Sequence, residues 1–81
     1  MKLAVRLFAR AKELAGTELV HLDVPNCINV GELRGVLSAS YPALAAIAPN
    51  LLVAVGSQYA DDTMVVDPSV EVACFPPVSG G

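Results

Sequence analysis

The sequence VEVACFPPVSGG, residues 70–81, joins a strand pattern to an abrupt exit from a sheet. Side chains alternate over residues 70–75, and this alternation predicts a half-buried strand. Its predicted buried face consists of Val70, Val72 and Cys74, and its outward face of Glu71, Ala73 and Phe75. Pro76 and Pro77 fix φ and lack amide donors, so the chain cannot continue to pair beyond them. We therefore expect a folded domain over residues 1–75 and an extended arm over residues 76–81.

Two N-terminal stretches show the same alternation. KLAVRLF (2–8) places Leu3, Val5 and Leu7 on one face, and ELVHLDV (18–24) places Val20, Leu22 and Val24 on one face. Between them, ARAKELAG (9–16) is rich in helix formers and ends on a glycine suited to a left-handed cap. We therefore expect these two stretches to form a hairpin-like pair of strands joined by a short helical connector.

One long helix is predicted in the middle of the chain. Asn29 and Glu32 have the spacing of a capping box, and Pro42 stops the helix near Tyr41. The apolar positions with helical spacing are Val30, Leu33, Val36 and Leu37. Gly31 and Gly35 suggest a close approach of the sheet to this helix.

The rest of the chain supplies two further strands. PALAAIAP (42–49) is expected to form a connector of one helical turn, LLVAV (51–55) a strand, and QYADDTMVV (58–66) a weak edge strand. The order β-β-α-β-β-β predicts an α+β fold, a mixed sheet of about five strands with one main helix packed across it. The first and last strands are expected to lie centrally.

Composition excludes several classes of function. The chain has 81 residues, 54% of them hydrophobic, a net charge of −3 and only five Lys and Arg. Nucleic-acid binding needs clustered cations, which are absent. The longest apolar stretch, residues 51–55, is too short for a bilayer, and four cations interrupt the N-terminal apolar residues, so neither a membrane span nor a signal peptide is expected. We expect a cytoplasmic protein.

No catalytic constellation is visible in the sequence. His21 alternates to the solvent side of its strand, Cys74 falls on a buried face, and Cys27 is a free thiol without an evident role. Cys and His lack metal-ligand spacing, and Asp61-Asp62 reads as a solvated loop. A self-sufficient enzyme is therefore not expected.

The arm itself is the candidate reactive element. Six residues beyond Phe75 can reach about 20 Å into a partner's pocket. Gly80 and Gly81 carry no side chain, so the end of the arm can pass a channel too narrow for a Cβ. The terminal carboxylate is ionised at neutral pH, and it can attack the α-phosphate of ATP to form an acyl-adenylate.

Three stretches carry a resemblance to a known family. LFARAKELAG (7–16), LLVAV (51–55) and EVACFPPVSGG (71–81), with the helix start NVGELR, resemble the small subunit of molybdopterin synthase, a sulfur carrier with the ubiquitin-like β-grasp fold. The resemblance covers the whole chain. Two turns depart from the family pattern, at Gly56-Ser57 and at residues 67–69, and both lie away from the arm.

The resemblance implies a mechanism. An adenylyltransferase similar to ubiquitin-activating proteins would adenylate Gly81 with ATP and magnesium, and a sulfur donor protein would convert it to a thiocarboxylate. The arm, comprising Pro76, Pro77, Val78, Ser79, Gly80 and Gly81, would then enter the large subunit and deliver sulfur to cyclic pyranopterin monophosphate. The family assembles as a heterotetramer, and this chain would bind no cofactor itself.

Partner contacts are expected around the start of the arm. If the first and last strands are parallel neighbours, Phe8 and Phe75 lie near that end and, with Arg6 and Ala73, form an exposed apolar patch. We expect it to bind the large subunit and the activating enzyme at different times. Arg10 and Lys12, near the same edge, are candidates for contacts to an acidic group on the activating enzyme.

Three other functions stay open from sequence. The first is a sulfur carrier for thiamine biosynthesis, although such carriers are generally shorter and lack the LFARAKELAG segment. The second is a ubiquitin-like protein modifier joined to target lysines by its C-terminus. The third is an interaction module with an inert tail.

Overall fold

The computed structural model describes residues 1–77. Five strands, β1 (Lys2–Leu7), β2 (Leu19–Asp23), β3 (Leu52–Val55), β4 (Gln58–Ala60) and β5 (Val72–Phe75), form one sheet. The helices are α1 (Ala9–Ala15) and α2 (Val30–Ser40). The strand order is β2-β1-β5-β3-β4, so β1 and β5 are interior strands, as predicted.

The register confirms a mixed sheet. β1 pairs antiparallel with β2 and parallel with β5, while β3 pairs antiparallel with both β4 and β5. Because β1 and β5 are parallel, their carboxyl ends lie at the same edge of the sheet. That edge holds Phe8, the residue after β1, and Phe75, the last residue of β5.

The core lies between the sheet and α2. The inward faces of β1 and β2 are buried as their alternation predicts, and Val30, Leu33 and Leu37 of α2 complete the cluster. The capping box is present: Asn29 Oδ1 accepts from Glu32 N at 2.8 Å, and Glu32 Oε1 accepts from Asn29 N at 3.1 Å. Gly16, with φ 76°, ends α1 in the left-handed conformation.

Arg34 connects α2 to two loops. Its Nε donates to Asp62 Oδ1 at 2.9 Å, and its Nη1 donates to the carbonyls of Ala48 and Leu51. The side chain is only 18% exposed. A guanidinium with several donors can satisfy these acceptors together, so one side chain holds three segments in place.

Three local predictions are wrong. Val70 lies outside β5 and is exposed, because its amide donates to Asp67 O in a turn that precedes the strand. The 42–49 connector forms two 3-10 turns, Pro42–Leu44 and Ala48–Asn50, rather than one helical turn. A Cβ on Gly31 would meet Asp62 at 3.3 Å, so this glycine accommodates a loop rather than the sheet, and a Cβ on Gly35 would meet nothing.

Candidate functional site

Four apolar side chains form one exposed surface at the edge where β5 ends. We name Phe8, Leu52, Tyr59 and Phe75 the aromatic patch. The rings of Phe8 and Phe75 lie 5.5 Å apart with an interplanar angle of 48°, and Tyr59 packs edge-on against Phe75 at 5.9 Å. Tyr59 is 71% exposed and Phe8 41%. Such a cluster has the chemistry of a protein-binding surface, because aromatic side chains provide much of the affinity at interfaces.

Backbone contacts position Phe8, Leu52 and Phe75. The amide of Phe8 donates to Cys74 O at 3.2 Å, which ties the end of β1 to β5. Ala9 has a φ of 52°, a left-handed conformation that turns the chain sharply from the strand into α1. Leu52 is the pairing partner of Phe75 across the sheet. The patch therefore stands on paired strands, and a rigid support suits a docking surface.

Sequence reasoning found only part of this patch. It named Phe8 and Phe75, which the structure brings together, but it missed Leu52 and Tyr59. Alternation in LLVAV could have indicated that Leu52 faces outward. The two-residue Gly56-Ser57 turn could have indicated the pairing of β4 with β3, but no sequence signal gave the pairing of β3 with β5 that brings Tyr59 beside Phe75.

The expected contribution of Ala73 to an exposed patch is wrong. Ala73 is only 7% exposed although it is on the outward face of β5. Its cross-strand partners are Arg6 on β1 and Ala54 on β3. Because a methyl group is short, the longer side chain of Arg6 beside it can shield it from solvent. Ala73 thus lies beneath its neighbours next to the aromatic patch and contributes little surface that a partner could contact.

The predicted cations of α1 are exposed and paired. Arg10 Nη1 lies 3.7 Å from Glu13, and Lys12 Nζ lies 3.7 Å from Glu18. Lys12 also lines an open surface recess of about 500 Å³ beside α1. Exposed pairs of this kind are weak, so either cation can exchange its glutamate for an acidic group on a partner.

Strand β5 ends directly before the two prolines. β5 ends at Phe75, and Pro76 is half-buried while Pro77 is exposed. Val78, Ser79, Gly80 and Gly81 lie outside the described residues. The aromatic patch therefore includes Phe75, the residue directly before Pro76, and the arm expected over residues 76–81 stays a prediction.

The described thiols and imidazole form no reactive centre. Burial raises the pKa of the Cys74 thiol to about 11, and the nearby Arg34 opposes this rise only in part. Cys74 is therefore protonated at neutral pH and serves as a core residue. Cys27 and His21 are exposed. Within residues 1–77, no group of three His, Cys, Asp or Glu side chains could hold a metal ion.

No helix among residues 1–77 has the length and apolar character needed to cross a membrane.

The fold and its relatives define the class of protein. The sheet order, with a helix across one face, is that of ubiquitin-like β-grasp proteins, and the structure is similar to small archaeal modifier protein 1 from Haloferax volcanii. That likeness has a TM-score of 0.82 and 27% identity, and covers 95% of this chain and 98% of the other. The chain belongs to the ThiS family, whose model matches residues 5–81.

One relative in sequence and one further solved structure are also similar to this chain. The molybdopterin synthase sulfur carrier subunit of Arabidopsis thaliana is 31% identical over 81 residues, covering 100% of this chain and 84% of that protein. A chain in the complex of subunits 1 and 2 of molybdopterin-converting factor from Helicobacter pylori has a TM-score of 0.67 and 21% identity, with 100% of both chains covered. At that identity the likeness shows the fold alone.

Proposed function

We propose that this chain is the sulfur carrier subunit of a molybdopterin synthase and that Gly81 carries the sulfur. The observation that supports the proposal most strongly is the position of the aromatic patch. Phe75 belongs to the patch and is also the last residue before the arm. A partner that binds the patch therefore holds the start of the arm and can receive its end in an active site. Membership of the ThiS family and the name of the Arabidopsis relative support the same function.

The chemistry proceeds through the terminal carboxylate. A carboxylate oxygen of Gly81 attacks the α-phosphate of ATP, and pyrophosphate leaves to give an acyl-adenylate. The terminal sulfur of a persulfide on the donor protein attacks the acyl carbon and AMP leaves, which gives an acyl disulfide. A thiol then attacks the donor's sulfur in this disulfide, so the S–S bond breaks, a new disulfide forms on the donor, and the thiocarboxylate of Gly81 is released. In the large subunit this sulfur forms a bond to a carbon of cyclic pyranopterin monophosphate, and an oxygen substituent leaves that carbon. Hydrolysis of the remaining acyl–sulfur bond then returns the Gly81 carboxylate.

Each partner supplies what this chain lacks. ATP and magnesium belong to the adenylyltransferase, and the large subunit supplies the site for the pterin. The product has two sulfurs, so two loaded small subunits serve each precursor, and the assembly is a heterotetramer around a large-subunit dimer. We propose that the chain carries out these reactions in the cytoplasm.

The aromatic patch is proposed to bind both the large subunit and the activating enzyme, at different times. Phe75→Ala removes the ring that contacts both Phe8 and Tyr59. Because Phe75 is only partly buried, we expect a small change in thermal stability and a marked loss of affinity for the large subunit. Unchanged stability together with unchanged affinity would show that the patch is not the docking surface.

Reconstituted sulfur transfer tests the function itself. The chain, prepared with a terminal thiocarboxylate, is mixed with the large subunit and cyclic pyranopterin monophosphate, and the dithiolene product is measured. A matched sample carries the ordinary carboxylate. The proposal predicts product only with the thiocarboxylate, in proportion to the amount of chain consumed. No product with a large subunit that accepts another carrier would contradict it.

A second candidate function is protein modification. The structural likeness to a protein named as an archaeal modifier favours it. Isopeptide-linked conjugates of this chain in cell extract would support this role, and their absence alongside a thiocarboxylate would count against it. A sulfur carrier for thiamine biosynthesis would instead copurify with a thiazole-forming synthase.

If the C-terminal residues are inert, deletion of Gly80 and Gly81 would leave the function of the protein unchanged.

A further inference from the structure

Arg6 is a half-buried cation beside the aromatic patch. Its side chain is 38% exposed, against 54–77% for Lys2, Arg10 and Lys12. It lies on the outward face of β1, opposite Leu19 on one side and Ala73 on the other. Phe8 follows it by two residues, so the two side chains stand on the same side of the sheet about 7 Å apart along the chain.

The guanidinium of Arg6 is poorly satisfied within the chain. Among the described residues its one ion pair is with Glu71, where Nε and Oε2 lie 3.8 Å apart. That distance exceeds hydrogen-bond length. Glu71 is itself 65% exposed, so this pair is weak. Arg34 provides the contrast, since its guanidinium donates to a carboxylate and two carbonyls.

A protein that covers Phe8 and Phe75 also covers Arg6. Losing water would leave the guanidinium with an acceptor too distant to replace its hydration. A planar guanidinium is best satisfied by a carboxylate that accepts two parallel N–H bonds. Glu71 would repel this incoming carboxylate while competing for the same cation.

We infer that Arg6 binds an aspartate or glutamate carboxylate of the synthase large subunit and selects partners that present one beside their apolar groove. This inference rests on the proposed function, which makes the large subunit the occupant of the aromatic patch. On docking, Arg6 exchanges Glu71 for the partner's carboxylate. Glu71 thereby reduces the affinity for a partner that presents the acidic group, while a partner without one leaves the covered Arg6 poorly satisfied.

Two substitutions with opposite expected effects test the exchange. Arg6→Gln removes the charge and keeps much of the stem, and we expect about tenfold weaker binding with a smaller dependence on salt. Glu71→Gln removes the competitor, and we expect binding about twofold to threefold tighter. Lys2→Gln is the matched control, because Lys2 is an outward cation of the same strand, paired with Asp23. It should bind as the unmodified chain does.

Titration calorimetry of the full chain with the purified large subunit, at low and high salt, measures these affinities. Thermal melts of every variant accompany it, and Phe75→Ala reports on the patch. Weaker binding by Arg6→Gln and tighter binding by Glu71→Gln, with stability preserved, would support the exchange. Equal weakening by both substitutions with equal loss of stability would make the pair merely structural and overturn it.

The remaining outcomes separate this inference from the proposed function. If Phe75→Ala weakens binding and Arg6→Gln does not, the exchange is wrong and the docking surface stands. If neither substitution weakens binding, the large subunit does not occupy the patch, and both proposals lose their basis.

Discussion

Replacing Arg34 by alanine should destabilise the domain far more than replacing any surface cation. The Nη1 atom donates to the carbonyls of Ala48 and Leu51, and hydrogen bonds from a charged donor contribute about 1.5–3 kcal/mol each. Ala48 O keeps a bond from Leu51 N at 3.3 Å, which reduces its loss. The pair with Asp62 adds about 0–1 kcal/mol, since that carboxylate is 66% exposed. The expected cost is about 2–4 kcal/mol.

Thermal and urea unfolding followed by circular dichroism measure this cost. For a domain of this size, 1 kcal/mol corresponds to about 4–8 °C, so the midpoint should fall by roughly 10–25 °C. Asp62→Asn should lose about 1 kcal/mol or less, and Arg10→Ala, an exposed control, about 0.5 kcal/mol or less. If Arg34→Ala is no less stable than Asp62→Asn, the carbonyl contacts contribute nothing and the reasoning is refuted.

Three further predictions concern the capping box of α2, the reactivity of the two thiols and the loss of stability at low pH. Asn29→Ala should cost about 1 kcal/mol, read as a midpoint about 4–8 °C lower, because the capping box is lost; an unchanged midpoint would show that the cap does not contribute. In the native protein at about pH 8, a thiol reagent should label Cys27 and leave Cys74 unlabelled until denaturant is added, because Cys74 is buried with a pKa of about 11; equal labelling rates would contradict this burial. Each carboxylate of Asp61 and Asp67 accepts bonds from the hydroxyl and the amide two residues further along, which lowers its pKa below 3.8. Their stabilisation is complete above the unfolded pKa and is lost as pH falls through the folded value, so the Asp61→Asn, Asp67→Asn double variant should lose less stability than the unmodified chain between about pH 5 and pH 2; parallel pH profiles would contradict it.

Local patterns predicted the strands that bury one face completely. Leu3, Val5 and Leu7 all face the core because they alternate with more polar residues, and a shift by one residue would turn all three side chains to solvent. The capping box at the start of α2 was also predictable, since its two residues, Asn29 and Glu32, are only three positions apart in the sequence. The prediction that Val70 is a buried strand residue was wrong because Val70 belongs to the turn that precedes β5. Periodicity carries no information about where a preceding turn ends.

Features that depend on tertiary register were not predictable from one sequence. Tyr59 reaches Phe75 only through the pairing of β4 with β3 and of β3 with β5. Arg34 is one polar residue among others on a helix until the 48–51 and 61–62 segments fold beside it. The covering of Ala73 likewise depends on Arg6 of a neighbouring strand. Sequence therefore predicted that β5 ends at Phe75 and that Phe8 and Phe75 lie near each other, whereas the other two members of the aromatic patch depend on how the strands pair.

The intact mass of the chain after incubation with an activating enzyme, ATP, magnesium and a sulfur source tests the carrier chemistry most directly. A variant lacking Gly81 is treated alongside. We predict a mass increase equal to the replacement of one terminal oxygen by sulfur in the full chain, and no such increase in the shortened one. An unchanged mass with an enzyme proven active on another carrier, or the same increase in both chains, would contradict the assignment of sulfur to Gly81.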